Sequence, residues 1–297
     1  MVARKSVCLR RAAGGQRAQI VRYGRFLDNR KVTVASLVEG WGKQTAVAAA
    51  GRHVLAIHDT SEINFHTSPD HRRGLGEIAK GNSYGVLLHA MLAIDGQSGD
   101  SLGLVAGEIW TRQGRQVIAH DKRAASERES QRWLSTALAA KQVLSAASMV
   151  TVIGDRESDI YRAWAEVPEA QFHVLSRSMQ DRALVGGGCL DATVAALPVA
   201  DRRSLGLVER AGRPARRAEL ELRYGEVTIK RPHRCDASLP QGVRLRVVEV
   251  SEPAPPPGQE PLRWCLLTTH QVRSVADAWQ IVDWYKQRWT LNSCSVS

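Results

Sequence analysis

The chain has 297 residues, of which 43% are hydrophobic and 24% charged, and its formal net charge is +11. This composition is typical of a globular protein rather than a disordered one, and the lack of any run of about 18 apolar residues argues against a transmembrane helix. The five cysteines are scattered, odd in number and without a CxxC pair. This pattern argues against a disulfide framework or a zinc site and favours a reducing, cytosolic environment.

The positive charge is concentrated in two segments. Residues 1–31 hold nine Lys or Arg against one acidic residue, and residues 202–234 hold ten against four. Lys and Arg gain free energy by displacing counterions from a phosphate backbone, so the segments indicate a polyanionic partner. A solvated arm and a solvated loop are the alternative. An organellar transit peptide is a third interpretation of the first segment, which lacks a clear amphipathic period.

The hydrophobic pattern of the first two thirds predicts three successive strands, followed by a helix, a strand, a second helix and a further strand. The segments are strands 53–66, 84–95 and 101–112, helix 126–147, strand 149–155, helix 158–167 and strand 172–178. The strand at 149–155 is nearly all apolar, which is typical of a strand buried on both faces. We therefore expect a mixed sheet with flanking helices, an α/β or α+β arrangement, of which we favour α/β.

After Gly186 the chain becomes rich in arginine. Alternating segments predict strands at 219–232, 243–252 and 262–270, and a final amphipathic helix begins near Ser274. The chain then divides into a basic N-terminal arm (1–50), a catalytic core (51–185), a β-rich insertion (186–272) and a final core helix (273–297).

Two aspartates stand at strand ends. Asp59 ends the first strand and Asp155 ends the central one, and in a mixed sheet these strands are expected to be neighbours. Two adjacent carboxylates repel each other unless a cation lies between them, and oxygen ligands favour Mg²⁺ or Mn²⁺. The structural alternatives are a helix N-cap for Asp155 and a turn residue for Asp59. His58 points to the opposite face of a regular strand, so we assign it to the core or the surface.

Several motifs occur in the order found in the Tn-five-like insertion-sequence transposases, which the stretch from about Arg25 to Leu291 resembles. The motifs are "AIHDT", "ESQRWL", "GDRESDIY", "GRPARRAELELRYGEVTIKRP", "PLRWCLLTTH" and "WYKQRW". The resemblance implies a ribonuclease-H-like core with a β insertion that cuts DNA with an Asp, Asp, Glu triad and divalent metal. In that family the final helix carries Tyr, two residues, Arg, three residues, Glu, six residues and Lys.

Carried over to this chain, the resemblance makes Asp59 the first acid and Asp155 the second. Tyr285 and Arg288 match the opening of the helix signature, and the glutamate falls at position 292, where this sequence has Asn292. A neutral amide is a weaker metal ligand than a carboxylate, so we expect impaired cleavage and strand transfer. The loss of the pattern after a good match leads us to expect a truncated or frameshifted reading frame.

The resemblance also implies DNA contacts. Trp264 matches a tryptophan that stacks on a flipped base, and Arg177 matches a basic position facing DNA; the alternatives are a half-buried strand aromatic and a solvated strand-end charge. Arg213, Arg216 and Arg217 would contact phosphates rather than read bases.

The expected protein is thus a bacterial insertion-sequence transposase that acts on double-stranded DNA at transposon ends, in the cytoplasm with the nucleoid. The family forms homodimers, but its dimerisation region has no counterpart here, and residues 1–24 match nothing recognisable. One alternative is a non-enzymatic DNA-binding remnant that competes with an intact transposase. Another is a host ribonuclease-H-like nuclease with only two acids.

Overall fold

The structure is a computed structural model that describes residues 9–65, 74–78, 83–111, 122–207 and 215–289, with the backbone alone at 122–130. The helices are α1 Leu9–Ala12, α2 Arg17–Leu27, α3 Val34–Ala49, α4 Lys122–Val143, α5 Tyr161–Glu166, α6 Leu190–Ala195 and α7 Val275–Lys286. The strands are β1 His53–Asn64, β2 Gly76–Glu77, β3 Tyr84–Asp95, β4 Ser101–Trp110, β5 Met149–Gly154, β6 Phe172–Arg177, β7 Asp201–Leu207, β8 Arg216–Lys230, β9 Gly242–Ser251 and β10 Arg263–Thr268. Among these described helices, none is long and apolar enough to cross a bilayer.

The described strands form one mixed sheet, flanked by helices as the sequence predicts. Its order is β2, β3, β1, β5, β6, β10, β9, β8, β7, and β4 also pairs with β3. The strands β1, β5 and β6 are parallel, whereas β3 and β4 on one side and β10 to β7 on the other run antiparallel. The helices α4 and α5 provide the long connections that parallel strands need.

Each face of the sheet carries its own hydrophobic core because side chains alternate along a strand. On β1, Val54 and Ala56 join the core beneath α4 and α5, whereas Leu55 and Ile57 join the core beneath α7. His58 continues the first series and is 3% exposed. It lies in the core, one of the two places expected from the sequence.

The structure differs from the sequence expectations in several elements. Segment 158–167 is not one helix: a single 3₁₀ turn at Arg156–Ser158 precedes the short helix α5. Strand β7 was not predicted, because the charged sequence "DRRS" at its start is typical of a loop. The strand forms because its backbone hydrogen-bonds to β8. The sheet is continuous across the predicted boundary at 185, since β10 of the predicted insertion pairs with β6 of the predicted core as well as with β9. The division into four segments stays a prediction.

Three histidines meet at the end of the sheet where the parallel strands begin. The rings of His173 and His270 stack with centroids 3.9 Å apart, and His53 and His270 both bond the hydroxyl of Thr151, at 2.8 and 2.7 Å. Trp284, near the end of α7, packs edge-on against His53 at 4.6 Å. The cluster therefore ties α7 to the sheet.

Burial keeps the imidazoles neutral. Desolvation lowers the pKa of His53 and His173, and it lowers the pKa of His270 to about 3. Burial also lowers the pKa of His58 well below its usual range and that of His89 to about 4. A histidine with a lower pKa in the folded state stabilises the fold fully above its unfolded pKa of about 6.5, and this contribution is lost as the pH falls below that value.

The exchange His270→Gln removes one of these imidazoles and keeps a polar side chain near Thr151. Urea denaturation between about pH 6 and about pH 4.5 measures how the free energy of unfolding falls as the pH is lowered. We expect the slope of this fall to be smaller in the variant than in the parent, and the difference between the two slopes to be about 1.4 kcal/mol per pH unit, the contribution of one histidine. The matched control is His233→Gln, because that ring is exposed. An unchanged slope in His270→Gln, or the same change in the control, contradicts the prediction.

Candidate functional site

The register of the parallel strands brings two aspartates and an arginine to one end of the sheet. Ile57 of β1 pairs with Ile153 of β5, so two residues further along Asp59 stands beside Asp155. Ile153 pairs in turn with Leu175 of β6, which places Arg177 beside Asp155 on the other side. By alternation, these side chains share the face that α7 covers. The predicted adjacency of the two aspartate-bearing strands is therefore present.

Asp155 stands where β5 ends, and its carboxylate already caps a turn. Its Oδ1 accepts a hydrogen bond from the N–H of Glu157 at 2.9 Å, and the hydroxyl of Ser158 donates to the Asp155 carbonyl oxygen at 2.6 Å. The capping alternative is thus realised, but on the 3₁₀ turn. Among the described residues, Ile160 at the N-cap of α5 makes no side-chain capping bond. The second carboxylate oxygen of Asp155 does not take part in the cap.

Gly154 allows this turn to fold back closely on β5. A Cβ at this position would lie 2.4 Å from the Cβ of Ser158 and 2.9 Å from the ring of Trp133. Real side chains do not approach so closely, so the position of Asp155 depends on a glycine before it.

Asp59 is held from two sides. Its Oδ1 accepts a hydrogen bond from the N–H of Thr60 at 2.9 Å, and its Oδ2 pairs with Nη1 of Arg288 at 3.3 Å. Burial, and next the charge of Asp155, raise the pKa of Asp59, whereas Arg288 and the Thr60 N–H oppose the rise. The two carboxylates are thus close enough to repel, and a positive charge beside them stabilises their ionised forms.

The helix α7 begins at a capping box, where the hydroxyl of Ser274 accepts from the N–H of Asp277 and the Asp277 carboxylate accepts from the N–H of Ser274. This confirms the predicted start near Ser274. One helical stripe is buried against the sheet. Its members are Ala278, Ile281, Val282 and Tyr285.

The outer side of α7 is fastened to β7. Trp279 donates from its indole N–H to Asp201 at 2.7 Å, and Arg203 pairs with Asp283 at 2.9 Å. The helix is therefore held by strands from both halves of the sheet.

A tight turn after α7 delivers Arg288 to Asp59. The N–H groups of Gln287 and Arg288 bond to the carbonyl oxygens of Trp284 and Tyr285. Burial raises the pKa of Tyr285, and the guanidinium groups beside it oppose that rise. Its hydroxyl is buried and, within the described residues, has no atom in hydrogen-bonding geometry. The helix thus brings a phenol and a cation to the acid pair.

The acid pair is a site with two carboxylates. Among the described residues, no three His, Cys, Asp or Glu side chains converge as ligands of one metal ion. Mg²⁺ is commonly held by one or two carboxylates with water completing the octahedron, and oxygen donors suit Mg²⁺ or Mn²⁺. Asp59 and Asp155 supply two such carboxylates from neighbouring strands, on one face of the sheet. Asp59 and Asp155 therefore fit one such cation. Asn292 lies outside the described residues, so its orientation toward this site stays a prediction.

Trp264 is more deeply buried than either sequence interpretation required. Its side chain is 4% exposed and packs edge-on against Tyr285 at 5.4 Å and Trp289 at 5.3 Å. This placement corresponds to the strand-aromatic alternative. Stacking on a DNA base stays a prediction, and it requires Trp289 to move away.

Arg177 does not match the solvated alternative. It is partly buried and donates to the carbonyl oxygen of Arg263 at 2.7 Å, and burial lowers its pKa, with Arg156 and Arg288 contributing in the same direction. Several cations are therefore crowded beside the acid pair, which is a suitable arrangement for an anion.

The three arginines proposed as phosphate contacts have different surroundings. Arg216 donates hydrogen bonds from both terminal nitrogens to the carboxylate of Glu252. Contact with a phosphate would require this ion pair to break. Arg217 is exposed and bonds only weakly to Ser204, at 3.3 Å. Arg213 lies outside the described residues. Their role in DNA binding stays a prediction, and Arg217 is the better placed of the two described residues.

Sequence reasoning missed the residues that support the acid pair. Gly154, Ser158 and Trp133 shape the turn at Asp155, and Arg156 adds a cation next to Arg177. Gly154 directly before an aspartate at a strand end was a usable signal, because glycine there indicates close approach of another group. The contact of Trp133 depends on tertiary packing and had no local signal.

No family model matches the chain. Among solved structures, it is similar to the piggyBac transposase synaptic complex with hairpin DNA, with a TM-score of 0.40 and 11% sequence identity over 95% of this chain. The match covers 48% of that protein, so the chain spans about half of its length. A likeness of this strength does not establish a shared function.

Two substitutions of Asp155 distinguish the contribution of its capping hydrogen bond from that of its charge. We expect Asp155→Asn to keep the melting temperature near that of the parent, because Asn caps about as well as Asp. Asp155→Ala should lower the free energy of unfolding by about 1 kcal/mol, through loss of the cap. Thermal and urea unfolding of the two variants test this, and equal stabilities would contradict the capping assignment.

The surroundings of Arg216 and Arg217 predict different effects of neutralising them. Arg217→Gln should reduce the slope of log K against log[salt] by about 0.9, the value for one phosphate contact. Arg216→Gln should instead lower the melting temperature, because it leaves the Glu252 carboxylate, 6% exposed, without its guanidinium. Fluorescence anisotropy on a labelled duplex at several salt concentrations measures the slope. An unchanged slope in Arg217→Gln would make β8 a solvated surface only.

Proposed function

We propose that the chain is a DNA-cleaving protein of the transposase type, related to the Tn-five-like insertion-sequence transposases, in which Asp59 and Asp155 hold one Mg²⁺ or Mn²⁺. Its substrate would be double-stranded DNA at transposon ends. Cleavage and strand transfer would be impaired, because position 292 holds Asn292 in place of the third acid. The ribonuclease-H-like core is part of this proposal.

One observation carries the proposal. The carboxyl ends of two neighbouring parallel strands present Asp59 and Asp155 on one face, and the final helix brings Tyr285 and Arg288 to the same place. Residues from three distant sequence motifs therefore come together. The succession of antiparallel strands, helix, parallel strand, helix and parallel strand supports the ribonuclease-H-like part.

The chemistry follows from the charges present. When bound, a divalent cation stabilises the negative charge that develops on the oxygens during in-line displacement at phosphorus. Asp59 and Asp155 would anchor it with their carboxylate oxygens. Arg288 and Arg177 would attract the non-bridging phosphate oxygens, and the buried hydroxyl of Tyr285, which lies beside both guanidinium groups, would offer a donor to the same group. With two acids, one cation is held and a second lacks an anionic ligand.

The structure also contains an observation that favours a second candidate, a non-enzymatic DNA-binding protein that competes with an intact transposase. Asp59 is already paired with Arg288, and one oxygen of Asp155 is used in the cap. Among the described residues no third acid joins them. A protein of this kind would bind DNA without metal and leave it uncut.

Nicking of supercoiled plasmid with Mg²⁺ or Mn²⁺ distinguishes the two candidates. We expect slow, metal-dependent nicking by the parent. Asp59→Asn and Asp155→Asn should each lower the nicking rate by more than about tenfold, because losing a residue that only hydrogen-bonds to a metal ligand already lowers activity by about that factor. Asp155→Asn is the sharper variant, since it keeps the capping atom and removes the charge.

The matched control is Asp100→Asn, an exposed acid in the turn between β3 and β4; its nicking rate should equal that of the parent. Asn292→Glu should raise the rate, because it adds the missing carboxylate. Metal-independent DNA binding with no nicking in the parent or in Asn292→Glu would favour the competitor protein.

A further inference from the structure

The ion pair between Asp59 and Arg288 is looser than a comparable structural pair. Its contact is a single one, at 3.3 Å, between side chains 13% and 22% exposed. In the pair of Arg182 with Asp159 the arginine is similarly buried and the acid more deeply buried, and two guanidinium nitrogens reach one carboxylate oxygen, at 2.9 and 3.1 Å. Single long contacts stabilise less than forked ones, so the pair at the acid site is the easier one to exchange.

Arg288 neither balances the charge of both carboxylates nor makes all of its own hydrogen bonds within the described residues. It pairs with Asp59 but with no other acid among the described residues, and its Nε is buried without a hydrogen-bond partner there. One guanidinium charge faces two carboxylates, those of Asp59 and Asp155. A divalent cation between Asp59 and Asp155 would neutralise both, so it competes with Arg288 for the same oxygen.

The residue after Arg288 covers a buried tryptophan. Trp289 packs edge-on against Trp264 at 5.3 Å, and Tyr285 packs on it at 5.4 Å. Tyr285 belongs to the buried stripe of α7, whereas Arg288 and Trp289 follow the helix in a turn. A shift of the backbone at Arg288 would therefore move Trp289 as well, whereas Tyr285 belongs to the helix and would stay in place.

We propose that Arg288 is a resident counter-cation that a divalent cation displaces from Asp59, and that its departure releases the turn 287–289 and uncovers Trp264. This rests on the proposed function, because it requires Asp59 and Asp155 to bind the cation. The two events are linked reciprocally: docking of the turn weakens metal binding to the same extent that metal binding weakens docking. Metal loading would then expose an aromatic face next to the acids.

The first test is Mn²⁺ binding by isothermal titration calorimetry, without DNA. Arg288→Gln should bind Mn²⁺ at least about fivefold more tightly than the parent, because the competing charge is gone. The matched control is Arg203→Gln, which removes the same charge from a pair with Asp283 on the same helix. The control should bind as the parent does, and Asp59→Asn and Asp155→Asn should lose binding.

The second test uses the unsubstituted chain, so it does not depend on the folding of a variant. Hydrogen exchange followed by mass spectrometry should show the amides of Gln287 and Arg288 exchanging at least about fivefold faster when Mg²⁺ saturates the site, since their bonds to Trp284 and Tyr285 open. Residues 275–283 should be unaffected. Asp59→Asn should show the fast exchange without metal.

The outcomes separate the two proposals. Loss of Mn²⁺ binding in Asp59→Asn and Asp155→Asn, with no tighter binding in Arg288→Gln and no change in exchange, overturns the displacement and leaves the proposed metal site standing. Tighter binding with unchanged exchange supports displacement and overturns the release of the turn. Absence of Mn²⁺ binding in both the parent and Arg288→Gln overturns the metal site and the displacement together.

Discussion

The parallel pairing of β1 with β5 is the constraint on which the rest of the site depends. It sets Asp59 beside Asp155 at a half-buried end of the sheet, where water screens their charges poorly. Two carboxylates in such a place destabilise each other unless the surroundings provide positive charge. The cations on β6 and at the end of α7 meet this need, and the arrangement of the whole end of the sheet follows from it.

The two faces of the sheet have separate tasks. The face beneath α4 and α5 is filled by apolar side chains and by His58, which packs edge-on against Trp133 and whose pKa is lowered by burial. The face beneath α7 begins as a similar core and becomes polar only beyond Ile57 and Ile153. A charged site thus sits on a rigid hydrophobic support, which limits the freedom of the groups that end each strand.

Local chemistry explains why part of this was visible in the sequence. An apolar run that stops at an aspartate locates a strand end, as at Asp155, and a serine before an amphipathic stretch locates a helix start, as at Ser274. Long-range pairing had no such signal. Arg216 reads as a free cation until Glu252, 36 positions away, is placed beside it. The depth of Trp264 likewise depends on a helix that approaches only in the folded chain.

The ion pair that closes the acid site joins residues 229 positions apart. Contacts of such long range form late, because the loop entropy between them must be overcome first. During synthesis the paired strands β1 and β5 emerge well before Arg288, and domains fold from the N-terminal side as they appear. A growing chain in which β1 and β5 pair before Arg288 emerges would hold the two carboxylates side by side without their arginine. At that stage ions of the surrounding solution would supply the counter-charge, and the cation content of that solution would become a variable of folding.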